Sequence, residues 1–284
     1  MELGGASQPK VLERLARGAY QPGMTHPADA FVEPMPDAIA SLSRKEAVAM
    51  ARERQWYHQL DFGEFVTPGD FDIAPVLDGY GFPDDLSGMT VLDVGRSSGF
   101  FAFEFERRGA TVYATDLPPG RGKDFVPGFE PPRSGQAGAG GDPLKKHVVP
   151  FFLASRILGS RVRALHLHIL DLSAEKYGTF DLVFAGSILN HVRDIAGAAR
   201  GLHAVTGGLC IMATPVSKIS PGVAALEFIG RSTTWWVPNA EGMLAIATSA
   251  GFDAHIHNPS LPLPFRDRFS PHAIVHGKPG KAPP

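Results

Sequence analysis

The sequence predicts an α/β fold built on a mostly parallel sheet. From about residue 90 onward, short apolar runs alternate with stretches of helical periodicity. In the first run, residues 90–95, the apolar Val91, Leu92 and Val94 would face both sides, as expected of a strand with helices on both faces. A glycine-bearing turn at residues 95–99 leads from it into an aromatic helix, and the next run ends in Asp116. These observations together indicate a β-α-β unit that binds a ligand.

The N-terminal part is predicted to be an arm followed by a capped helix. Residues 1–40 are rich in Gly, Pro and Ala, with a short helical pattern at 11–19. Ser43 and Glu46 have the spacing of a capping box, and the helix that they begin is expected to run to about Gln59. Residues 61–87 are expected to form an ordered loop with a short helix near 72–80.

The remaining elements follow in alternation. Strands are predicted at 90–95, 110–116, 162–169, 180–186 and 207–214, with two further strands at 252–258 and 272–277. Helices are predicted at 99–108, 145–158, 194–206 and 238–250. The glycine-rich stretch 118–145 is expected to be a mobile surface insertion.

Composition limits the class of protein. The 284 residues suffice for one large domain or a core with an appendage, and 44% hydrophobic with 20% charged residues is ordinary for a globular protein. A formal net charge of −2 argues against nucleic-acid binding. A single cysteine, Cys210, rules out a disulfide within the chain and favours a reducing, cytoplasmic location. We see neither a signal-peptide pattern nor an apolar run long enough for a membrane span.

The glycine turn is typical of a nucleotide-cofactor site. Gly95 permits a sharp exit from the strand, and Gly99 lets the next helix start close to a ligand. Asp116 follows Gly95 by 21 positions, the reach of one helix and one strand, so its carboxylate can accept hydrogen bonds from two ribose hydroxyls. A plain βαβ unit with a glycine turn is the structural alternative.

Two other ligand classes compete for the same residues. A dinucleotide fingerprint requires a third glycine where this chain has Phe100, which disfavours a nicotinamide cofactor. Gly95-x-Ser97-x-Gly99 also matches the nucleophile elbow of hydrolases. That elbow needs several preceding strands, whereas residues 1–88 indicate mainly helix and loop. A cofactor without a phosphate group fits the turn better.

The order of the motifs resembles class I S-adenosylmethionine (SAM)-dependent methyltransferases. The resemblance covers about residues 88–280 and rests on Val91-Leu-Asp-Val-Gly95 with Gly99, Asp116, His168-Ile-Leu-Asp-Leu172, Phe180-Asp-Leu-Val-Phe184 and Gly207-Gly-Leu209. It implies a Rossmann-like, seven-stranded, mostly parallel sheet with helices on both faces and a reversed last hairpin. Residues 1–87 then form an N-terminal arm and helical lid, and residues 88–280 the SAM-binding core. The implied cofactor is SAM, the product is S-adenosylhomocysteine (SAH), and no metal is expected.

The resemblance also implies roles for single residues. Asp93, Gly95 and Gly99 would lie near the methionine part of SAM. Asp116 would hold the ribose, with Leu117 beside the adenine. The other implied contacts are Asp171 with the adenine amino group, Leu172 through its backbone, and Ser187 near the sulfonium. Ser97 stands where many members of the family have glycine.

Three residues are candidates for the chemistry. Tyr57 and His58 follow the capped helix at the edge of an aromatic loop, and the near-neutral pKa of an unperturbed histidine suits proton transfer. His191 follows the fourth strand of the core, at the sheet edge where ligands bind. Each histidine has a purely structural alternative: His58 would cap a helix end, and His191 would join the start of the next helix.

Substrate contacts are predicted on both sides of the core. The candidates are Trp56, Asn190, Arg231, Trp235 and Trp236, the last three in a substrate-side insertion at residues 215–240. Core packing of the tryptophans is an equal alternative. Glu227 and Arg231, four positions apart, could instead be a helix pair, and Arg193 is a further candidate for binding a substrate carboxylate.

Two histidine pairs are candidate metal ligands. His166 and His168 are predicted to share one strand face, as are His255 and His257. Neither pair has a third ligand residue at a spacing typical of metal sites, so the sequence favours no metal site.

A narrower resemblance leaves the transferred group open. Trp56-Tyr-His58, Asp61-Phe-Gly63, Thr67-Pro-Gly69, Thr234-Trp-Trp-Val-Pro-Asn239 and Ala250-Gly-Phe252 resemble a subgroup related to the tRNA wobble-uridine carboxymethyltransferases, which use carboxy-SAM. We expect methyl transfer to a small-molecule nucleophile. The alternatives are carboxymethyl transfer to a tRNA wobble uridine and a SAM-binding protein without turnover. No membrane partner is expected, and a homodimer is compatible with the sequence.

Overall fold

The computed structural model describes residues 25–117 and 148–280. Its strands are β1 (Val32–Glu33), β2 (Trp56–His58), β3 (Gly69–Phe71), β4 (Thr90–Val94), β5 (Thr111–Asp116), β6 (Arg163–His166), β7 (Phe180–Gly186), β8 (Thr206–Pro215), β9 (Leu226–Arg231), β10 (Thr234–Pro238), β11 (Phe252–Phe265) and β12 (Arg268–Pro279). Its α-helices are α1 (Asp37–Ala40), α2 (Arg44–Arg52), α3 (Phe100–Arg107), α4 (Val149–Leu158), α5 (Ala174–Tyr177), α6 (Ile195–Val205) and α7 (Ala240–Ser249). The predicted helix at 11–19 and the insertion at 118–145 lie outside the described residues.

Ten strands of the described residues form one sheet, in the order β1-β6-β5-β4-β7-β8-β12-β11-β3-β2. Strands β4 to β8 pair in parallel, and β12 runs antiparallel to both β8 and β11. The seven predicted strands form the centre of this sheet. The predicted total of seven was wrong, because β1, β2 and β3 extend the two edges and are too short to show a periodic pattern.

Both faces of the central sheet are buried. On β4, Val91 packs into the apolar core on one face and Leu92 into the core on the other. Helix α3 covers the first face with Phe101 and Phe105, and α6 covers the second with residues such as Leu202. This two-sided burial explains the continuous apolar runs in the sequence.

The described residues before β4 belong to the same fold. Helix α2 begins at the predicted capping box, where the Ser43 hydroxyl accepts a hydrogen bond from the Glu46 backbone N–H at 3.2 Å. It packs against α4 and ends at Arg52, so the predicted extension to Gln59 was wrong. Residues 56–58 instead pair in parallel with β3 and continue the sheet. No helix within the described residues is long and apolar enough to cross a membrane.

Candidate active site

A cavity of about 400 Å³ opens at the carboxyl ends of β4, β5 and β7. Its volume falls within the range of small-molecule sites in proteins. Carboxyl ends of parallel strands are the usual ligand-binding edge of an open α/β sheet. Described wall residues include Tyr57, His58, Asp70, Phe71, Tyr80, Asp93, Gly95, Phe101, Asp116, Leu117, His168, Ile169, Phe184, Ser187, Ile188, His191, Leu263 and Phe265.

The glycine turn supports this cavity in two different ways. Gly95 lines the wall with φ +85°, and a Cβ there would lie 3.0 Å from Cδ1 of Ile188. Gly99 has φ +95°, but a Cβ on it would lie 2.5 Å from the ring of Phe103 and 2.8 Å from the ring of Phe151. Gly99 is therefore needed for the packing of helix α3, and it is not among the wall residues.

Asp93, on the cavity wall, has a buried carboxylate oxygen that lacks a hydrogen bond from any described residue. Its side chain is 2% exposed, and Oδ2 is buried without a hydrogen-bond partner among the described residues. Burial raises the pKa of Asp93 to about 7, against the lowering influence of Arg96 and with a smaller raising influence from Asp116. A buried oxygen of this kind is stabilised by a ligand that brings a hydrogen-bond donor or a positive charge.

Arg96 is a buried charge that the sequence analysis did not single out. Its side chain is 1% exposed beneath the glycine turn, and Nη1 donates to the carbonyl oxygens of Ala114 and Leu165, each at 3.2 Å. The guanidinium also lies 4.5 Å from the ring centroid of Phe151. Arg96 thus ties the turn to the ends of β5 and β6. The signal in the sequence that could have indicated this role was a single arginine within the glycine turn.

Asp116 lies at the end of β5, on the cavity wall beside Leu117. Its Oδ1 accepts a hydrogen bond of 2.8 Å from the Leu117 backbone N–H, which orients the carboxylate. Asp171 and Leu172 are placed differently. Asp171 ends a one-turn helix, Ile169–Asp171, Leu172 is buried in the core, and neither is among the residues that line the cavity.

Ser187 is held in an unusual conformation next to the turn. Its φ is +53°, and its Oγ lies 2.8 Å from Nε2 of His272. Burial lowers the pKa of His272 to about 4, and its Nδ1 lies 2.9 Å from the Ser270 carbonyl oxygen. The neutral ring therefore donates from Nδ1 and, at Nε2, accepts a hydrogen bond from the Ser187 hydroxyl. His272 was missed because it is 85 positions away in sequence.

Tyr57 and His58 lie on β2 and both line the cavity. The Ser98 hydroxyl oxygen is 3.0 Å from the backbone nitrogen of His58 and 3.2 Å from its Nδ1. This contact joins β2 to the glycine turn. Burial, with the nearby Asp70 carboxylate, raises the pKa of Tyr57 to about 12, so its hydroxyl stays protonated at neutral pH.

His191 reaches the cavity from the one-turn helix Leu189–His191. Its Nδ1 lies 2.8 Å from the Thr233 carbonyl oxygen, at the tip of the β9–β10 hairpin, and accordingly donates to it. Asn190 is 4% exposed and is not among the wall residues; its Nδ2 lies 3.3 Å from His191 Nε2. The hairpin within the predicted 215–240 insertion thus helps to orient His191.

The other predicted substrate residues do not line the cavity. Trp56 is buried in the core, where its ring N–H donates to the Ala51 carbonyl oxygen at 2.9 Å. Trp235 is also buried, and Trp236 donates to the Arg193 carbonyl oxygen at 3.0 Å.

The alternative of a helix pair between Glu227 and Arg231 was wrong, because both residues lie on strand β9. Glu227 Oε2 accepts a hydrogen bond of 2.6 Å from the Ser217 hydroxyl, and Arg231 is exposed.

Several residues of the opposite wall were not predicted. Asp70 and Phe71 come from β3, and Phe265 comes from the end of β11, where it pairs with Phe71. Asp70 Oδ1 accepts a hydrogen bond from Arg266 Nε at 3.0 Å. This wall depends on strand pairing between distant segments, so no local pattern marked it.

Comparison with known proteins identifies the fold. No family model matches the chain, and no curated protein does. Among solved structures, the N-terminal domain of EvdMO1 with SAH bound matches with a TM-score of 0.59 at 15% identity, over 84% of this chain and 98% of that one. This chain has the α/β fold of that SAH-bound domain. The YcgJ protein from Bacillus subtilis matches with a TM-score of 0.50 at 12% identity, over 72% of this chain and 97% of that one.

Proposed function

We propose that this protein transfers a methyl group from SAM to a nucleophilic atom of a small molecule. The observation that carries the proposal is the position of Asp93 and Asp116 near the carboxyl ends of the neighbouring strands β4 and β5, on one cavity that continues to Tyr57 and His58. The fold shared with an SAH-bound domain supports the same cofactor.

The residues of the first wall suit SAM. Oδ2 of Asp93 has no hydrogen-bond partner among the described residues, and the ammonium group of the methionine part would donate a hydrogen bond to it. Asp116 offers its carboxylate to the two ribose hydroxyls, and Leu117 offers an apolar surface to the adenine. Ser187 would face the sulfonium, with its hydroxyl oriented by His272. SAM supplies an electrophilic methyl group when it is bound.

The opposite wall suits the acceptor. His58 is the group that would take the acceptor's proton, because its ring lines the cavity and is held at Nδ1 by Ser98. In the tautomer that donates from Nδ1 to Ser98, Nε2 carries the lone pair for this transfer. The Tyr57 hydroxyl would orient the acceptor as a hydrogen-bond donor. The aromatic side chains around them, such as Phe71 and Phe265, exclude water.

The charge of the wall favours SAM over carboxy-SAM as the donor. A carboxymethyl donor requires a cation beside its extra carboxylate, and none of the described residues that line the cavity is Lys or Arg. The net charge of −2 likewise favours a small molecule over tRNA.

A wall with Tyr57, His58 and His191 beyond the cofactor residues argues for turnover and against a role in binding alone.

Calorimetric titration with SAM and SAH tests the cofactor site. Asp116→Ala is expected to weaken binding by about 100-fold, because two hydrogen bonds to a charged group are lost. Asp84→Ala is the control, since that side chain is 93% exposed and is not among the wall residues. Unchanged affinity in Asp116→Ala would remove the ribose assignment.

Mass spectrometry tests the chemistry. The expected result is SAH release together with a product heavier by one methyl group in a panel of hydroxylated, aminated and thiol metabolites. Carboxy-SAM co-purifying with the protein would instead support carboxymethyl transfer. SAM binding without turnover on any acceptor, tRNA included, would support the non-catalytic alternative.

A further inference from the structure

Three histidines meet on the last hairpin, outside the cavity. His255 of β11 and His276 of β12 are direct partners in the antiparallel register. His257 follows His255 by two positions, past the start of an irregularity in the pairing, and its ring also reaches His276. One nitrogen from each of the three rings lies within 4.8 Å of the others. Spacing in the sequence indicates only the His255 and His257 pair, because His276 is brought in by strand pairing.

His276 is the fixed member of this cluster. Its side chain is 7% exposed, and Nε2 lies 2.8 Å from the Tyr80 carbonyl oxygen, so this nitrogen donates. The Nδ1 lone pair is then available to a ligand. A histidine that donates one nitrogen to a backbone carbonyl and coordinates with the other is the usual arrangement at protein metal sites.

The charge state of the rings suits coordination as well. Burial, with smaller contributions that include the neighbouring histidines, lowers the pKa of His276 to about 4. Burial and His255 also lower the pKa of His257. Neutral imidazoles carry the lone pairs that a metal ion requires, so little proton release opposes binding near neutral pH.

The backbone next to the cluster leaves space for the imidazole rings. Gly81 has φ +68°, and a Cβ there would lie 2.5 Å from the ring of His257 and 3.0 Å from the ring of His276. Glycine at this position therefore leaves space for two imidazoles against the chain. His255 and His257 are exposed, so their rings can turn toward an ion with little loss of packing.

We propose that His255, His257 and His276 form a binding site for a divalent transition-metal ion, with Zn²⁺ as the best match. Three imidazole donors and one water complete a tetrahedral zinc site, whereas Mg²⁺ and Ca²⁺ prefer oxygen ligands. Zn–N bonds of about 2.0–2.1 Å require the ring nitrogens to approach to about 3.4 Å. Binding therefore draws the exposed rings inward and breaks the parallel stack of His257 on His276, now 4.2 Å between centroids.

The site is separate from the proposed active site but adjoins its wall. None of the three histidines is among the residues lining the cavity, whereas Tyr80, whose carbonyl accepts from His276, is one of them. An ion here would join β11 to β12. Through the hydrogen bond of His276 to the Tyr80 carbonyl oxygen, it would also link both strands to the residues around Gly81. Its role is structural, and it takes no part in methyl transfer.

The test is zinc binding by the metal-stripped full chain, measured in competition with a chromophoric chelator. Wild type is expected to bind one Zn²⁺ per chain, and the double variant His255→Gln/His257→Gln is expected to bind it at least about 100-fold more weakly. Both substitutions are at exposed positions, so the fold should persist; melting curves without metal check this. His203→Gln, a histidine outside the cluster, is the control and should keep wild-type affinity.

Cobalt substitution gives an independent readout. Co²⁺ bound to wild type is expected to show the visible absorption of a low-coordinate nitrogen site, and the double variant is expected to lack it. Ni²⁺ or Cu²⁺ binding that also depends on the two exposed histidines would support the site. The proposal is overturned if wild type binds no stoichiometric metal, or if the double variant binds as tightly as wild type.

Discussion

The two halves of the cavity are assembled at very different distances along the chain. The proposed cofactor half, here Asp93, Gly95, Asp116 and Leu117, comes from one β4-α3-β5 unit. The proposed acceptor half comes from β2, β3, the end of β11 and the one-turn helix Leu189–His191. The hydrogen bond between Asp70 and Arg266 in the acceptor half joins residues 196 positions apart.

This difference in assembly separates a general task, the proposed cofactor binding, from a specific one, the proposed binding of the acceptor. The cofactor half needs only a strand, a turn, a helix and a second strand, so many chains can build it in the same way. The acceptor half is shaped by whichever edge strands pair beside β12, and its side chains are set by that pairing. The Ser98 contact with His58 is where the two halves meet.

The largest effect is expected where the halves meet. His58→Gln should lower kcat by about 100-fold or more, because it removes the proposed proton acceptor, while SAM affinity stays near wild type. Steady-state kinetics and calorimetry on the same preparation measure the two quantities. His203→Gln, at a histidine remote from the wall, should change neither. Equal losses in kcat and SAM affinity would assign His58 to the cofactor half instead.

The cofactor half should respond to pH through Asp93. Its folded pKa of about 7 lies above the ordinary aspartate pKa of 3.8, so the ligand-free protein loses stability from this group as pH rises from about 4 to 7. An ammonium ligand prefers the carboxylate, so SAM affinity should rise by about 10-fold between pH 6 and pH 8.

Calorimetry across this range provides the measurement, and Asp93→Asn should bind weakly with a flattened profile. A wild-type profile that falls with pH would contradict the assignment of the methionine ammonium to Asp93.

A smaller effect is expected within the acceptor half. Tyr57→Phe removes one hydrogen-bond donor from the wall and should raise KM for the acceptor by about 3- to 10-fold, with SAM affinity unchanged. Since burial raises the pKa of Tyr57 to about 12, the wild-type rate should show no tyrosine ionisation below pH 9. Tyr177→Phe, at a buried tyrosine that is not among the wall residues, is the matched control. A larger change in SAM affinity than in KM would refute the separation of the two halves.

Local patterns were sufficient for much of the fold. The runs that became β4, β5, β7 and β8 were predicted nearly at their observed positions, because strands buried on both faces must be continuously apolar. The start of α2 followed from its capping box, since Ser43 and Glu46 interact within one turn. The end of α2 did not follow, because residues 56–58 have no local reason to leave the helix and do so to pair with β3.

By itself, the sequence determined the α/β class, the glycine turn and the acid at the end of β5, all of which depend on contacts within one supersecondary unit. Only the tertiary structure decided that Ser187 meets His272, that Asp70 and Phe265 line the same cavity, and that His276 completes a trio with His255 and His257. The physical reason is the sheet order. Antiparallel insertion of β12 between β8 and β11 brings distant residues side by side, and no short-range periodicity encodes that neighbour choice.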